Sequence, residues 1–176
     1  DVTLESNNGG EFFVNGGQDS SGLKVGTTND ASLTLIDQIM TVEEDTSVGL
    51  ESYGYMRVFG SYYSTFGRLS IGQVDGGDMF VDNTYFTVGT DVYIQSGGSL
   101  ALENGTNANF GDGSSQYAVN ILDGIFKTDS TTLVDMVGGL EVGGRGYLQG
   151  NGILSFYGGD RVVNNGGIVN PLLDAN

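Results

Sequence analysis

Hydrophobic residues in this chain fall in short alternating triplets. After residue 20 the series reads Leu23-Lys24-Val25, Leu33-Thr34-Leu35, Met40-Thr41-Val42, Val48-Gly49-Leu50 and Met56-Arg57-Val58. It continues through Leu69-Ser70-Ile71, Met79-Phe80-Val81, Phe86-Thr87-Val88, Val92-Tyr93-Ile94, Leu100-Ala101-Leu102 and Ala108-Asn109-Phe110. Such alternation belongs to a strand with one buried and one wet face. The triplets return every ~8 residues, so each short strand must be followed at once by a turn. Three of them make a unit of ~22 to 26 residues, a length suited to a solenoid repeat.

Val119-Asn120-Ile121, Ile125-Phe126 and Leu133-Val134 lead into residues 138–171, where the pattern is densest. There Leu140-Glu141-Val142, Tyr147-Leu148, Ile153-Leu154, Val162-Val163 and Ile168-Val169 recur every ~7 residues between Gly and Asn, too irregularly for one helix face. The pattern predicts an all-β fold: a single-stranded parallel β-helix (β-solenoid) with about three short strands per coil. Stacked at ~4.8 Å per coil it would be a rod of roughly 30 to 40 Å. An antiparallel β-sandwich, with sequence neighbours joined as hairpins, is the alternative.

Gly follows the strand directly in Leu23-Lys24-Val25-Gly26, Leu69-Ser70-Ile71-Gly72, Phe86-Thr87-Val88-Gly89 and Leu140-Glu141-Val142-Gly143. A corner requiring φ > 0 accounts for that recurrence. Helical periodicity is nearly absent; residues 35–44 could tolerate one turn of helix, and their β-branched neighbours oppose it. Residues 1–19 hold Val2-Thr3-Leu4 and Phe12-Phe13-Val14 between Asn-Gly punctuation, as expected of a hairpin or a first irregular coil acting as a cap. The same residues could serve as a strand exchanged with a neighbouring molecule. No linker or low-complexity block interrupts the series, so residues 1–176 read as a single β-solenoid domain.

Composition narrows the function more than the fold. Glycine occurs 31 times against one Pro, and Cys and His are both absent. Serine and cysteine nucleophiles paired with His, and the ordinary zinc sites, are thereby excluded. The net charge is −16, and the six basic residues are scattered along the chain. Nucleic acid and anionic membranes are therefore not expected as partners. No apolar run is long enough to span a bilayer as a helix. The chain starts at Asp1 with no basic and apolar leader, as expected of a chain whose signal peptide is gone or of an excised piece.

Acidic residues offer two chemistries. Asp75, Asp78, Asp82 and Asp91 fall within one coil, as a carboxylate pair for glycoside hydrolysis would require. Any chain this acidic produces such groupings, and no catalytic residue is assigned. Ca²⁺ is the one cofactor for which donors are present, in Asp75-Gly76-Gly77-Asp78, Gly158-Gly159-Asp160, Glu43-Glu44-Asp45 and Asp112. Solvated turn carboxylates account for the same residues. Gly143-Gly144-Arg145-Gly146 lacks the strand and helix context of a phosphate loop. Asn104-Gly105-Thr106 fits a glycosylation sequon and, more simply, a turn.

The most unusual local feature lies at residues 53–66, where aromatics outnumber what one strand can bury. Alternation that turns Met56 and Val58 inward puts Tyr55, Arg57 and Phe59 outside. Together with Tyr53, Tyr62, Tyr63 and Phe66 they form a candidate interface or glycan patch.

Leu148-Gln149-Gly150-Asn151-Gly152-Ile153, followed by Val162-Val163-Asn164-Asn165-Gly166-Gly167-Ile168-Val169-Asn170-Pro171, resembles the bacterial autotransporter-associated β-strand repeat family, which carries L-x-G-N-G and then V-x-N-x-G-x-(I/V)-x-P. The likeness covers about a fifth of the chain and departs at Leu172, where the family has Gly. It implies a right-handed parallel β-helix, an extracellular or cell-surface location and a structural or adhesive role. The expected function is therefore a structural, non-enzymatic module that self-assembles with copies of itself, end to end, into a surface filament, sheath or layer. The alternatives are an adhesin or phage-fibre segment that binds surface glycan, and, behind it, a polysaccharide-cleaving β-helix enzyme.

Overall fold

The computed structural model describes residues 2–14, 22–157 and 162–171, and every regular element among them is a strand. The chain opens with β1 (Val2–Val14), β2 (Leu23–Val25) and β3 (Ala31–Val42). Three strands per coil follow: β4 (Thr46–Val48), β5 (Gly54–Phe59) and β6 (Tyr62–Thr65), then β7 (Leu69–Ile71), β8 (Gly77–Asp82) and β9 (Tyr85–Val88). The next coils are β10 (Val92–Ile94), β11 (Ser99–Glu103) and β12 (Asn107–Phe110), and β13 (Tyr117–Ile121), β14 (Ile125–Thr128) and β15 (Leu133–Val137). After β16 (Gly139–Gly143), β17 (Tyr147–Gly150) and β18 (Ile153–Tyr157) come β19 (Val162–Asn165) and β20 (Ile168–Pro171).

Each strand pairs in parallel with its counterpart one coil away. The first face is β2-β4-β7-β10-β13-β16-β19. The second runs from the N-terminal half of β3 through β5, β8, β11, β14 and β17 to β20, and the third from the C-terminal half of β3 through β6, β9, β12 and β15 to β18. This is a parallel β-helix of about six turns. Among the named strands no sequence neighbours pair as hairpins, so the sandwich alternative falls.

Coil length follows from register. Leu23, Thr46, Leu69 and Val92 stand in one row at intervals of 23 residues. The next step, to Val119, takes 27, and those to Leu140 and Val162 take 21 and 22. The extra length lies in residues 111–116, between β12 and β13, where Asp112, Gly113, Ser114 and Gln116 are exposed.

The N-terminal segment is not a hairpin. β1 runs parallel to β3, with Val2 to Glu5 opposite Leu33 to Ile36 and, after a register shift, Gly10 to Val14 opposite Gln38 to Val42. It is a partial coil laid on the second and third faces of its own chain. Residues 35–44, where a helical turn was tolerable, are strand up to Val42 and bend at Asp37, which has φ 54.

Inward rows form the core. Val25, Val48, Ile71, Ile94, Ile121 and Val142 line up on the first face. Met40, Tyr63, Phe86, Ala108 and Val134 line up on the third. Tyr63, Phe86, Phe110 and Phe126 pass an aromatic contact from coil to coil, with ring centroids 5.6, 5.5 and 6.5 Å apart. Ala108 is small where Phe86 and Phe110 are large, the interdigitation that keeps a stacked core at native density. Burial of each large side chain contributes roughly 1.5–3 kcal/mol.

One triplet and two of the corner glycines behave differently from expectation. In Val48-Gly49-Leu50 the strand ends at Val48 and extends back to Thr46, whose inward hydroxyl is hidden by a bond to the Tyr63 phenol. Gly49 is a corner at φ 76. Of the glycines that follow a triplet, Gly26 and Gly72 have φ 76 and 69, whereas Gly89 and Gly143 are not in the left-handed region. Gly89 is needed for closeness: a Cβ there would lie 2.1 Å from the Phe66 carbonyl oxygen of the adjacent coil. At the other corner the left-handed residue is Gly144, one position later.

The corner between the second and third faces is built the same way in successive coils. Asp37, Gly60, Asn83 and Asn104 take positive φ, a conformation that Gly, Asn and Asp reach most cheaply. A buried polar residue follows each: Gln38, Ser61, Thr84 and, after Gly105, Thr106. The Gln38 N–H donates to Ser61 Oγ at 3.1 Å and the Ser61 N–H to Thr84 Oγ1 at 3.3 Å. The hydroxyls of Ser61, Thr84 and Thr106 donate to the carbonyls of Phe59, Asp82 and Glu103 at 2.6 to 2.8 Å. Backbone that a sharp bend would leave unpaired is satisfied from inside.

Candidate interaction surfaces

The aromatic segment at residues 53–66 does not make one patch. Tyr55, Arg57 and Phe59 point outward from β5 on the second face, as alternation predicted. The Arg57 guanidinium lies over the Phe59 ring at 4.6 Å and over the Phe80 ring of the next coil at 5.7 Å. Phe59 and Phe80 touch at 5.8 Å. Tyr53 sits at the preceding corner, its hydroxyl donating to Asp78. Tyr62 is exposed on the third face, and Phe66 is exposed at the corner beyond it.

Tyr63 is the correction. It is completely buried, its hydroxyl 2.6 Å from Thr46 Oγ1, and it cannot take part in any surface patch. The chain turns a corner at Gly60, so Tyr62 and Tyr63 begin a new strand in which Tyr63 shares parity with the core row.

The four candidate aspartates are dispersed as well. Asp78 points out from β8 and accepts from both Tyr53 and Ser99, tying three coils together. Asp82 accepts from Asn104 Nδ2 at 2.7 Å. Asp91 is buried at the first corner, where Arg68 Nε donates to it at 2.9 Å. The Arg68 guanidinium also lies 4.7 Å over the Tyr93 ring. Asp75 is exposed on a corner apart from these.

Among the described residues no three carboxylates converge as a metal site would require. Asp45 accepts from the Arg68 N–H of the next coil at 2.8 Å, and Asp112 from the Ser114 N–H of its own turn at 2.8 Å. Gly158-Gly159-Asp160 lies outside the described residues. Asn104 and Gly105 form the expected turn, with φ 54 and 83.

A groove of about 190 Å³ does bring together Glu103, Lys127, Asp129, Gln149 and Asn151. Asp129 is already committed there. Its oxygens accept from the N–H groups of Asn104 and Thr131 and from the hydroxyls of Thr131 and Thr132, at 2.8 to 3.0 Å. Burial pulls its pKa up, but these donors outweigh that and leave it below the ordinary carboxylate value. With three donors on Oδ1 and a fourth on Oδ2, this carboxylate closes a corner, and its lowered pKa makes it a poor proton acceptor at neutral pH.

Two features that triplet counting missed stand out. The outward rows of the third face carry few charges: Ile39, Tyr62, Tyr85, Asn107, Leu133 and Ile153 in one, and Thr41, Ser64, Thr87, Asn109, Asp135 and Ser155 in the other. β1 extends them with Glu11 and Phe13. Tyr62 and Tyr85 stack at 5.3 Å and 14°, Thr87 Oγ1 donates to Ser64 Oγ at 2.8 Å, and Asn109 Nδ2 donates to the Tyr85 hydroxyl at 3.2 Å. The row was readable only once coil length was known.

The second feature is the pair of ends. At one, Val162 and Val169 follow the inward rows of Leu140 and Leu148 yet are 44% and 42% exposed, beside a cavity of about 260 Å³. At the other, Leu23, Val25, Leu33 and Met40 line an apolar pocket of about 290 Å³.

Compared with family models, with curated proteins and with solved structures, the chain finds no match in any of the three.

Proposed function

We propose that this β-solenoid is a structural, non-enzymatic module that assembles end to end with copies of itself into an extracellular filament, sheath or layer. The observation that carries the reading is the pair of ends. The core rows run to the last described coil at each end, and among the described residues no complete further coil covers the inward-facing Val162 and Val169 or the pocket lined by Leu23 and Met40. Edge strands β2, β19 and β20 present backbone groups at the spacing a further parallel coil would need. Placement outside the cell rests on the repeat-like residues 148–153 and 162–171. The commitment of Asp129 to its corner, in a chain without His or Cys, supports a role other than catalysis.

Size-exclusion chromatography and electron microscopy of the purified chain test it. Rods that lengthen with concentration, and that Val169→Asp shortens, are expected. A stable monomer at high concentration, with and without Ca²⁺, would overturn the reading. A glycan-binding role has less support: the exposed aromatic residues divide between two faces and two corners, and the Tyr62 and Tyr85 rings cover one another's faces, where a sugar would stack.

A further inference from the structure

We propose that the outer surface of the third face joins two copies of this chain side by side and head to tail, with Tyr85 on the two-fold axis. This contact is distinct from end-to-end assembly and does not depend on it.

The argument begins with charge. A chain of net charge −16 repels its copies wherever its acidic surface faces theirs. On the second face Arg57, Asp78, Asp82, Glu103 and Lys127 all point outward. The outward rows of the third face carry only Glu11 and Asp135. The exposed hydrophobic side chains concentrate on that face, with Phe13, Ile39, Tyr62, Tyr85, Ile153 and Tyr157 among them. One outward row of this face is apolar or aromatic at Ile39, Tyr62, Tyr85, Leu133 and Ile153, interrupted by Asn107 and ending at Glu11, beside a second row that is mostly uncharged and polar. On an otherwise strongly charged molecule such a face marks a contact surface.

Orientation follows from the same two carboxylates. Copies lying parallel would keep like carboxylates at the same level of the stack, Glu11 beside Glu11 and Asp135 beside Asp135, about one outward row apart. Turned head to tail about the middle strand, β9, Glu11 meets the Ile153 and Tyr157 end and Asp135 meets Ile39 and Thr41. Tyr62 then faces Asn107, and Tyr85 faces its own copy. A closed, isologous pair results, the commonest symmetry of homo-oligomers.

The area sets the strength. Seven strands at ~4.8 Å and a width of two outward residues give a footprint of roughly 300–400 Å². A standard interface buries ~800 Å² per partner. The lateral dimer is therefore weak in isolation and gains through multivalency when rods lengthen. Raising the salt concentration strengthens it by screening the repulsion.

Absence of native cysteine makes the test direct. Tyr85→Cys, Asp135→Cys and Lys127→Cys are oxidised under mild conditions in a Val169→Asp background, which blocks end-to-end contact. Tyr85→Cys should form a disulfide dimer roughly ten-fold faster than Lys127→Cys on the second face, as the effective concentration at a two-fold axis requires. Asp135→Cys should match Lys127→Cys. Equal rates for Tyr85→Cys and Lys127→Cys would overturn the proposal, and preferential cross-linking of Asp135→Cys would overturn its orientation. The double variant Ile39→Lys/Tyr85→Lys should lower the dimer fraction in sedimentation equilibrium with an unchanged circular dichroism spectrum. A dimer unaffected by it, or a chain that stays monomeric while a neutral oligosaccharide binds this face, also counts against it.

Discussion

Inside the solenoid, Thr46 on the first face and Tyr63 on the third meet through their hydroxyls at 2.6 Å. Both are completely buried, and each is the other's polar partner in an otherwise apolar layer. The bond therefore fixes which residue of each strand turns inward. Tyr63→Phe should cost about 1–3 kcal/mol by stranding the Thr46 hydroxyl. Thr46→Val combined with Tyr63→Phe should recover much of that loss. Denaturant melts of the two single variants and the double variant give the coupling directly, and additive effects would refute the pairing.

Alkaline pH should act through tyrosine. Burial pushes the Tyr63 phenol well above its ordinary value, partly opposed by Thr46. Tyr53 is pushed up to about 12, first by donating to Asp78 and then by burial. A group whose folded pKa is raised stabilises the fold fully below its unfolded pKa, here about 10, and loses that contribution as pH rises through the folded value. Tyrosinate absorbance should show Tyr53 ionising near pH 12 and Tyr63 only as the chain unfolds. Tyr63→Phe should remove that last step.

Acid should act through Asp129 in the opposite sense. Its folded pKa lies below the unfolded value, because donors from Asn104, Thr132 and Thr131 outweigh the effect of burial. Its contribution is present above the ordinary carboxylate pKa of about 4 and is lost as pH falls through the folded value. The pH dependence of the melting temperature below about pH 4 should be shallower in Asp129→Asn, and an unchanged slope would show that the corner bonds do not need the charge.

Glycine roles separate cleanly by substitution. Gly89→Ala must push adjacent coils apart, because its Cβ would sit 2.1 Å from a backbone oxygen, and a loss of several kcal/mol is expected (about 3 or more). Asn83→Gly, at φ 46, keeps a permitted conformation and should change stability by less than about 1 kcal/mol. Thermal melts of the two variants decide whether closeness or dihedral angle governs.

Solenoid architecture was legible because triplets such as Leu69-Ser70-Ile71 and Val92-Tyr93-Ile94 report strand parity locally. Parity fails where the inward residue is polar. Thr46 belongs to a core row whose other members are Leu and Val, and no local pattern betrays its partner Tyr63, 17 residues on. The aromatic segment misled for a related reason. A left-handed Gly60 between Phe59 and Tyr62 resets inside and outside, so counting through it joined residues of two faces. The polar corner column of Ser61, Thr84 and Thr106 was present as Gly-Ser, Asn-Thr and Gly-Thr pairs, a signal that acquires meaning only once they are known to stack.

The six residues between Phe110 and Tyr117 lengthen one coil, and a register irregularity between Tyr117 and Val119 against β16 returns the core row to step from Val119 onward. A winding that takes up spare chain at its bends can receive a foreign peptide or a reporter there while the stack stays aligned. Residues 112–114 are thus the natural graft point for displaying cargo along this rod.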